Sequence, residues 1–293
     1  MADRSPHTGS IRDPGVLIQI HIPRCAGTSV GNWLRAAAQQ GLLSGFRAVY
    51  PDFVLEQEAD FLAAGFADLR LTAATTHNIL RFPTLICGRV AHYFTLLREP
   101  FAHVLSIARY MQEQRSTFML PANLGNETQD ILVWLLGRPL NAPFRENTQT
   151  NHLALATWCE ATSGRCAAKD YGTWSAADQR AYQSERLDVA KSVLRSFLCV
   201  GVVERLHDSL ELLRQRSAAV GIDLLPAEGV GHVNTTLGTD NLAWTGPANE
   251  VGRRLHESIA VDIELYAFAR EMLQTSTSAA AARDGSDPRR AQR

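Results

Sequence analysis

The hexapeptide Arg24-Cys25-Ala26-Gly27-Thr28-Ser29 brings together a fixed positive charge, two small residues and two adjacent hydroxyls. Arg24 supplies charge, Gly27 allows close approach, and Thr28 and Ser29 supply hydroxyl donors. A loop of this kind that opens a helix aims backbone N–H groups and the positive end of the helix dipole at whatever lies above it, favourably a phosphate. It is not a Walker A loop, because G-x-x-x-x-G-K-[ST] does not occur. On spacing alone, the same residues also suit an ordinary strand-to-helix turn capped by Thr28 or Ser29.

A second set is Leu97-Arg98-Glu99-Pro100, with Ser106 eight positions after Arg98. An arginine at a strand end and a serine on the following helix can reach one phosphate, the arginine through its two-pronged guanidinium. Arg98 taken alone is equally suited to pairing with a local carboxylate.

The elements that must position these residues are legible from periodicity. Val16 to Ile22 is an almost continuous apolar run bounded by Pro14-Gly15 and Pro23, as in a strand covered on both faces. Val30, Trp33, Leu34 and Ala37 then recur at helical spacing, so the unit is strand, tight loop, helix. Leu71 to Thr76 is a weaker strand and Tyr93 to Leu97 a stronger one, the latter followed by Pro100 opening a helix through Val104, Ile107 and Met111. Phe197 to Val203 is a third strand after the first, feeding a helix with Leu206, Leu210 and Leu213. Strands alternating with helices predict an α/β fold with a mostly parallel sheet.

From Glu127 to Ser196 the pattern is mainly helical, which reads as an insertion above the sheet. Glu250 to Leu273 reads as one long amphipathic helix. The expected organisation is a disordered N-terminus over 1–14, one domain over 15–274 with its helical insertion at about 127–196, and a disordered tail over 275–293.

Composition narrows the classes of function. A chain of 293 residues with 45% hydrophobic content can bury a large core. A formal net charge of -1 gives no global field for a nucleic-acid backbone or an anionic membrane, so an anion site must be local. No apolar run is long enough to span a bilayer, and the polar start does not read as an export signal, so a cytoplasmic protein is expected. The five cysteines show no zinc spacing; Cys159 and Cys166 are near enough in sequence to pair, but reduced thiols are the expectation for such a compartment.

The residues quoted so far resemble a family. His21 to Ser29, H-I-P-R-C-A-G-T-S, resembles the 5′-phosphosulfate loop of carbohydrate sulfotransferases, H-I-P-K-T-x-G-T-S. Tyr93 to Ser106, Y-F-T-L-L-R-E-P-F-A-H-V-L-S, is similar to their 3′-phosphate motif, L-R-D-P-x-x-R-x-x-S. Val200 to Glu204 looks like the family's V-G-x-x-E segment, Asn147 to Leu153 like its N-x-x-T-R-x-L element, and Gly231 to Thr236 like its late nucleotide-closing loop. The heparan sulfate 2-O-sulfotransferase group and its bacterial relatives look nearest, and the likeness spans about residues 16 to 273.

The resemblance implies a P-loop-type sheet and a sulfuryl donor, 3′-phosphoadenosine 5′-phosphosulfate (PAPS), with no metal. Arg24, Cys25, Ala26, Gly27, Thr28 and Ser29 would surround the 5′-phosphosulfate, Arg98 and Ser106 would hold the 3′-phosphate, and Asn234 and Thr235 would close over the nucleotide. Arg24 would also be catalytic, beside a general base. His77 is preferred as that base because it ends a strand, whereas His92 stands at the entry of one, and ligands of such sheets gather at the carboxyl ends. The implied acceptor is a hydroxyl of a glycan or glycosylated small molecule, with neither nucleic acid nor a membrane span involved and a homo-oligomer left open.

Three positions depart from the pattern: Arg24 stands for lysine, His103 for the second arginine of the second motif, and Asn151 for the arginine of N-x-x-T-R. Two other functions fit the same strand-loop-helix, a small-molecule or nucleotide kinase and a sulfotransferase-like protein that binds nucleotide with little turnover.

Overall fold

A computed structural model of the chain describes residues 13–50, 55, 57–77, 79, 82–118, 120–137, 147–160, 174–231 and 250–285. The apolar run at the start forms β1 (Val16–Ile20), every residue of it buried. β1 lies between two parallel neighbours, β3 (Ala73–Thr76) and β5 (Arg89–Leu97), in register Ile20 to Thr76 and Ile20 to Thr95. β2 (Phe46–Ala48) extends the sheet beyond β3, and β6 (Cys199–Val202) pairs with the carboxyl half of β5, both in parallel. The short β4 (Leu85–Ile86) runs antiparallel to the start of β5. The sheet is mostly parallel and flanked by helices, as the alternation predicts.

The helices follow in chain order. They are α1 (Gly27–Gln39), α2 (Glu58–Ala63), α3 (Pro100–Glu113), α4 (Thr128–Gly137), α5 (Thr148–Glu160), α6 (Ala176–Ser196), α7 (Leu206–Ala219), α8 (Glu250–Ser258) and α9 (Ala260–Gly285). Val30, Trp33, Leu34 and Ala37 bury one face of α1 in the main core. A second core joins Val104, Ile107 and Met111 of α3 to Ile131, Leu132 and Leu135 of α4 and Leu255 of α8. At roughly 1.5–3 kcal/mol per buried large apolar side chain, that cluster fixes the outer face of α3 and leaves its inner face to the sheet's carboxyl edge.

The opposite edge is locked by Arg89, only 4% exposed. Its guanidinium donates to both carboxylate oxygens of Asp13, at 2.7 and 3.0 Å, and to the carbonyls of Gly15, Asp68 and Leu71. A buried arginine with its donors so used costs little and closes the amino ends of β1 and β5.

Several boundaries differ from the sequence expectation. β1 stops at Ile20, and β5 starts at Arg89, so His92 lies within a strand rather than before it. β2, β4 and α2 have too few apolar residues to show a period. The helix expected over 250–273 is broken at Ile259, because Asn147 intrudes there: its N–H donates to the Ser258 carbonyl, and its side chain receives the next helix's first amides. α9 then runs on to Gly285 where composition reads as a tail from residue 275, and Arg216 of α7 donates to Ser276 at 2.7 Å. The expected disorder over 1–14 falls outside the described residues up to residue 12, while Asp13 and Pro14 are held at the Arg89 edge.

Candidate functional site

Five parallel strands end at one edge, and the residue delivered just beyond each is Tyr50 after β2, His77 after β3, His21 after β1, Arg98 after β5 and Glu204 after β6. Ligands of open α/β sheets bind at this edge. The loop leaving β1 enters α1 through two left-handed residues, Arg24 at φ 67° and Ala26 at φ 59°. For residues with a Cβ each such position costs on the order of 1–2 kcal/mol. Between them the Cys25 N–H donates to the Ile22 carbonyl at 3.1 Å, which closes the turn leading into α1.

Ala26 occupies the N-cap of α1, and its methyl accepts nothing, so neither Thr28 nor Ser29 caps the helix. The ordinary capped turn is therefore not what the chain builds. Gly27 allows close approach: a Cβ there would lie 1.8 Å from Nε2 of His21, whose ring rests on this glycine and would have to move. Thr28 is exposed at the mouth of the helix, and Ser29 and Cys25 are buried beneath it.

One stripe of α3 holds the loop from the other side. His103, Ser106 and Tyr110 recur at helical spacing, and all three meet the β1–α1 loop. His103 Nε2 donates to the Pro23 carbonyl at 2.8 Å, Arg24 Nε donates to Ser106 Oγ at 3.0 Å, and the Arg24 guanidinium lies 4.9 Å above the Tyr110 ring centre. Arg98 Nη1 donates to the Arg24 carbonyl at 3.2 Å. Burial, then the charge of Arg98, lower the pKa of Arg24. His103, fully buried, is pushed down to about 4 by burial, so it anchors the loop as a neutral donor where the resembling motif carries a charge.

The main chain at Arg98 is gripped from two further elements. Buried Gln149 of α5 accepts from Arg98 N at 2.8 Å and donates to Arg98 O at 2.9 Å. Glu204 accepts from Glu99 N at 2.9 Å and from the Tyr266 hydroxyl at 2.7 Å, while Glu99 caps α3 by accepting from Ala102 N. Gln149 is itself placed by Asp262 of α9, which accepts from the amides of Gln149 and Thr150 and from the Thr150 hydroxyl. Burial raises the pKa of Asp262 against those hydrogen bonds.

On the β3 side stands a group of rings. His77 Nδ1 bonds the His21 carbonyl, which can only accept, so Nδ1 carries the proton and Nε2 of the neutral ring keeps its lone pair. The His77 ring is 4.3 Å from that of His21 and stacks at 4.6 Å on Tyr50. Tyr50 in turn lies 3.3 Å through its hydroxyl from His21 Nδ1. Burial lowers the pKa of His77, with the bond to the His21 carbonyl opposing it, and pushes His21 down to about 3 and His152 to about 4.

Of the sequence candidates, then, Arg24 to Ser29, Arg98, Ser106 and His77 come together at one edge. His92 does not: its Nε2 meets the Pro14 carbonyl at 3.0 Å, at the amino end of the sheet beside Arg89. Asn234 and Thr235 lie outside the described residues, as does any pairing of Cys159 with Cys166. Sequence reading missed His21, Tyr50, Tyr110, His152, Gln149 and Asp262 as members of the site. The helical step from Ser106 could have found Tyr110 and His103; Tyr50 gave no signal, because its strand is three residues long. Family models and curated proteins yield no match to this chain.

Proposed function

We propose that the protein is a sulfotransferase that moves a sulfuryl group from PAPS to a hydroxyl of a glycan or glycosylated small molecule. The observation that carries this reading is the meeting of Arg24 with the buried Ser106 hydroxyl and of the Arg98 guanidinium with the Arg24 carbonyl beside the start of α1, with the neutral His77 imidazole bonded to the same loop. Two adjacent guanidiniums call for an anion between them, and the left-handed loop and helix N-terminus call for a second anion beside it. A nucleotide with phosphates at both ends of its ribose meets both demands, so the residues fit the donor. The finer fold reading, a P-loop-type sheet with 127–196 as a helical insertion, and a cytoplasmic location belong to the same proposal.

The transfer is an in-line displacement: the acceptor oxygen bonds to sulfur as the bond from sulfur to the phosphate oxygen breaks, and the acceptor proton passes to His77. His77 Nε2 is the atom able to take that proton, since Nδ1 is committed to the His21 carbonyl. Charge gathering on the departing phosphate faces the amides that open α1. His103 and Gln149 keep the two loops in place without contributing charge.

The reading is tested by thermal melting with the desulfated product, 3′-phosphoadenosine 5′-phosphate (PAP), against ATP, followed by transfer from PAPS to a panel of glycans and glycosylated small molecules. A ligand that binds only the folded state raises the melting temperature. PAP is expected to do so and ATP to do so less, with acceptors gaining the mass of one sulfuryl group. Stabilisation by ATP alone would instead favour a kinase, and PAP binding without transfer to any acceptor a nucleotide-binding module.

A further inference from the structure

Arg24 stands where the resembling loop carries lysine, and its guanidinium is turned toward α3. Arg24 Nε donates to Ser106 Oγ, and its guanidinium covers the Tyr110 ring, so both of its contacts are on α3. The His77 side of the loop is reached through different atoms, His77 to the His21 carbonyl and the His21 ring onto Gly27. Arg24 and His77 therefore lie on opposite flanks of the loop. A group lined up for attack by an acceptor next to His77 meets Gly27 and the amides opening α1 before it meets the Arg24 guanidinium.

We infer that Arg24 is the second arginine of a phosphomonoester subsite shared with Arg98 and Ser106, and that it sets preference for a nucleotide bearing a ribose 3′-phosphate. This rests on the sulfotransferase reading of the site. The subsite is built from buried parts. Ser106 is 1% exposed, and because its oxygen accepts from Arg24 Nε, its own proton remains to be donated to an anion. Arg98 approaches from β5, its main chain fixed by Gln149 and its Nη1 on the Arg24 carbonyl, so one cation is tied to the loop that carries the other. Holding two guanidiniums this close costs repulsion, in keeping with the lowered pKa of Arg24, and a phosphate dianion between them reverses that cost. The Nε bond to Ser106 leaves the terminal edge of Arg24 as the one that forks onto phosphate oxygens.

The experiment is calorimetric titration of wild type, Arg24→Gln and Arg24→Lys with PAP and with adenosine 5′-phosphate, which differ only in the 3′-phosphate. Arg24→Gln should weaken PAP by ~10- to 100-fold, the loss of one charge-assisted pair, and change adenosine 5′-phosphate by less than about twofold. Arg24→Lys keeps the charge and loses the fork, so it should also weaken PAP alone, by a smaller factor. Equal losses on both nucleotides in either variant overturn the assignment, because Arg24 would then serve the 5′ end. A wild type that binds PAP no better than adenosine 5′-phosphate removes the donor-site reading and the assignment with it.

Discussion

Gln149 holds Arg98 by its main chain, accepting from the amide at 2.8 Å and donating to the carbonyl at 2.9 Å, so a single carboxamide completes the backbone bonding of the residue that follows β5. The guanidinium is thereby aimed from a fixed root. The relationship predicts coupling: Gln149→Met removes both bonds, and should weaken PAP binding in the wild type but add little once Arg98 is alanine. A double-mutant cycle measures this, with an interaction energy of about 0.5–3 kcal/mol expected for coupled residues. Strictly additive losses would show that Gln149 supports the fold without placing Arg98.

Arg98→Ala should itself weaken PAP by ~2–4 kcal/mol, since it leaves a phosphate charge without its partner. Ser106→Ala should cost less, as a neutral donor. Superimposable titration curves for Arg98→Ala and the wild type would sink the role.

Removal of the base should spare binding and strike turnover. His77→Ala is expected to bind PAP as the wild type does and to lose ~10²–10⁴ in turnover. His92→Ala should stay active, its imidazole being at the far edge on the Pro14 carbonyl. A cooperative melt of His77→Ala near the wild-type temperature separates lost chemistry from lost structure. The reverse pattern, with His92→Ala inactive and His77→Ala unimpaired, would assign the base to the other end of the sheet.

Rate and stability should both fall in acid, for related reasons. Burial holds His77 below the ordinary imidazole value of 6.5, so the neutral base persists to lower pH, and the acid limb of kcat/KM should lie below 6.5. His21, His103 and His152 are pushed to about 3, 4 and 4. Below pH 6.5 the unfolded chain takes up protons that these folded rings refuse, so stability present above that pH is lost as pH falls toward the folded values. Each ring contributes at most ~1.4 kcal/mol per pH unit, His21 and His152 less than His103 because both are only partly buried. Asp262 works against them, its carboxyl being raised by burial, but it is one group against three. Urea midpoints at pH 7.5 and pH 5 check the sign; an unchanged midpoint would mean the rings are charged in the folded protein.

What the sequence disclosed follows from which interactions are local. β1 is readable because all five of its residues are buried, and the loop leading into α1 because its residues are consecutive. The placing of Arg98 and Ser106 at one end of the sheet is readable because Arg98 directly follows a strand and Ser106 lies on the helix that the strand feeds. Gln149 and Asp262 were silent: Asp262 lies 112 residues beyond Thr150, which it serves, and no period joins them. Glu250 to Leu273 reads as one helix because amphipathic spacing does not register an asparagine arriving from elsewhere in the chain.

That asparagine makes the beginnings of two helices interdependent. Asn147 Oδ1 accepts from the amides of Val261 and Asp262, and Asp262 accepts from those of Gln149 and Thr150, so each helix supplies the other's cap at corresponding positions. Neither first turn is complete until both segments have docked, which makes the pair a single cooperative unit in folding rather than two helices that happen to touch. The amides of Gln149, Thr150, Val261 and Asp262 should exchange with solvent in one opening event. Damage to the start of α9 would thus unwind the start of α5, release Gln149, and reach the main chain of Arg98 although neither Arg98 nor its neighbours had changed.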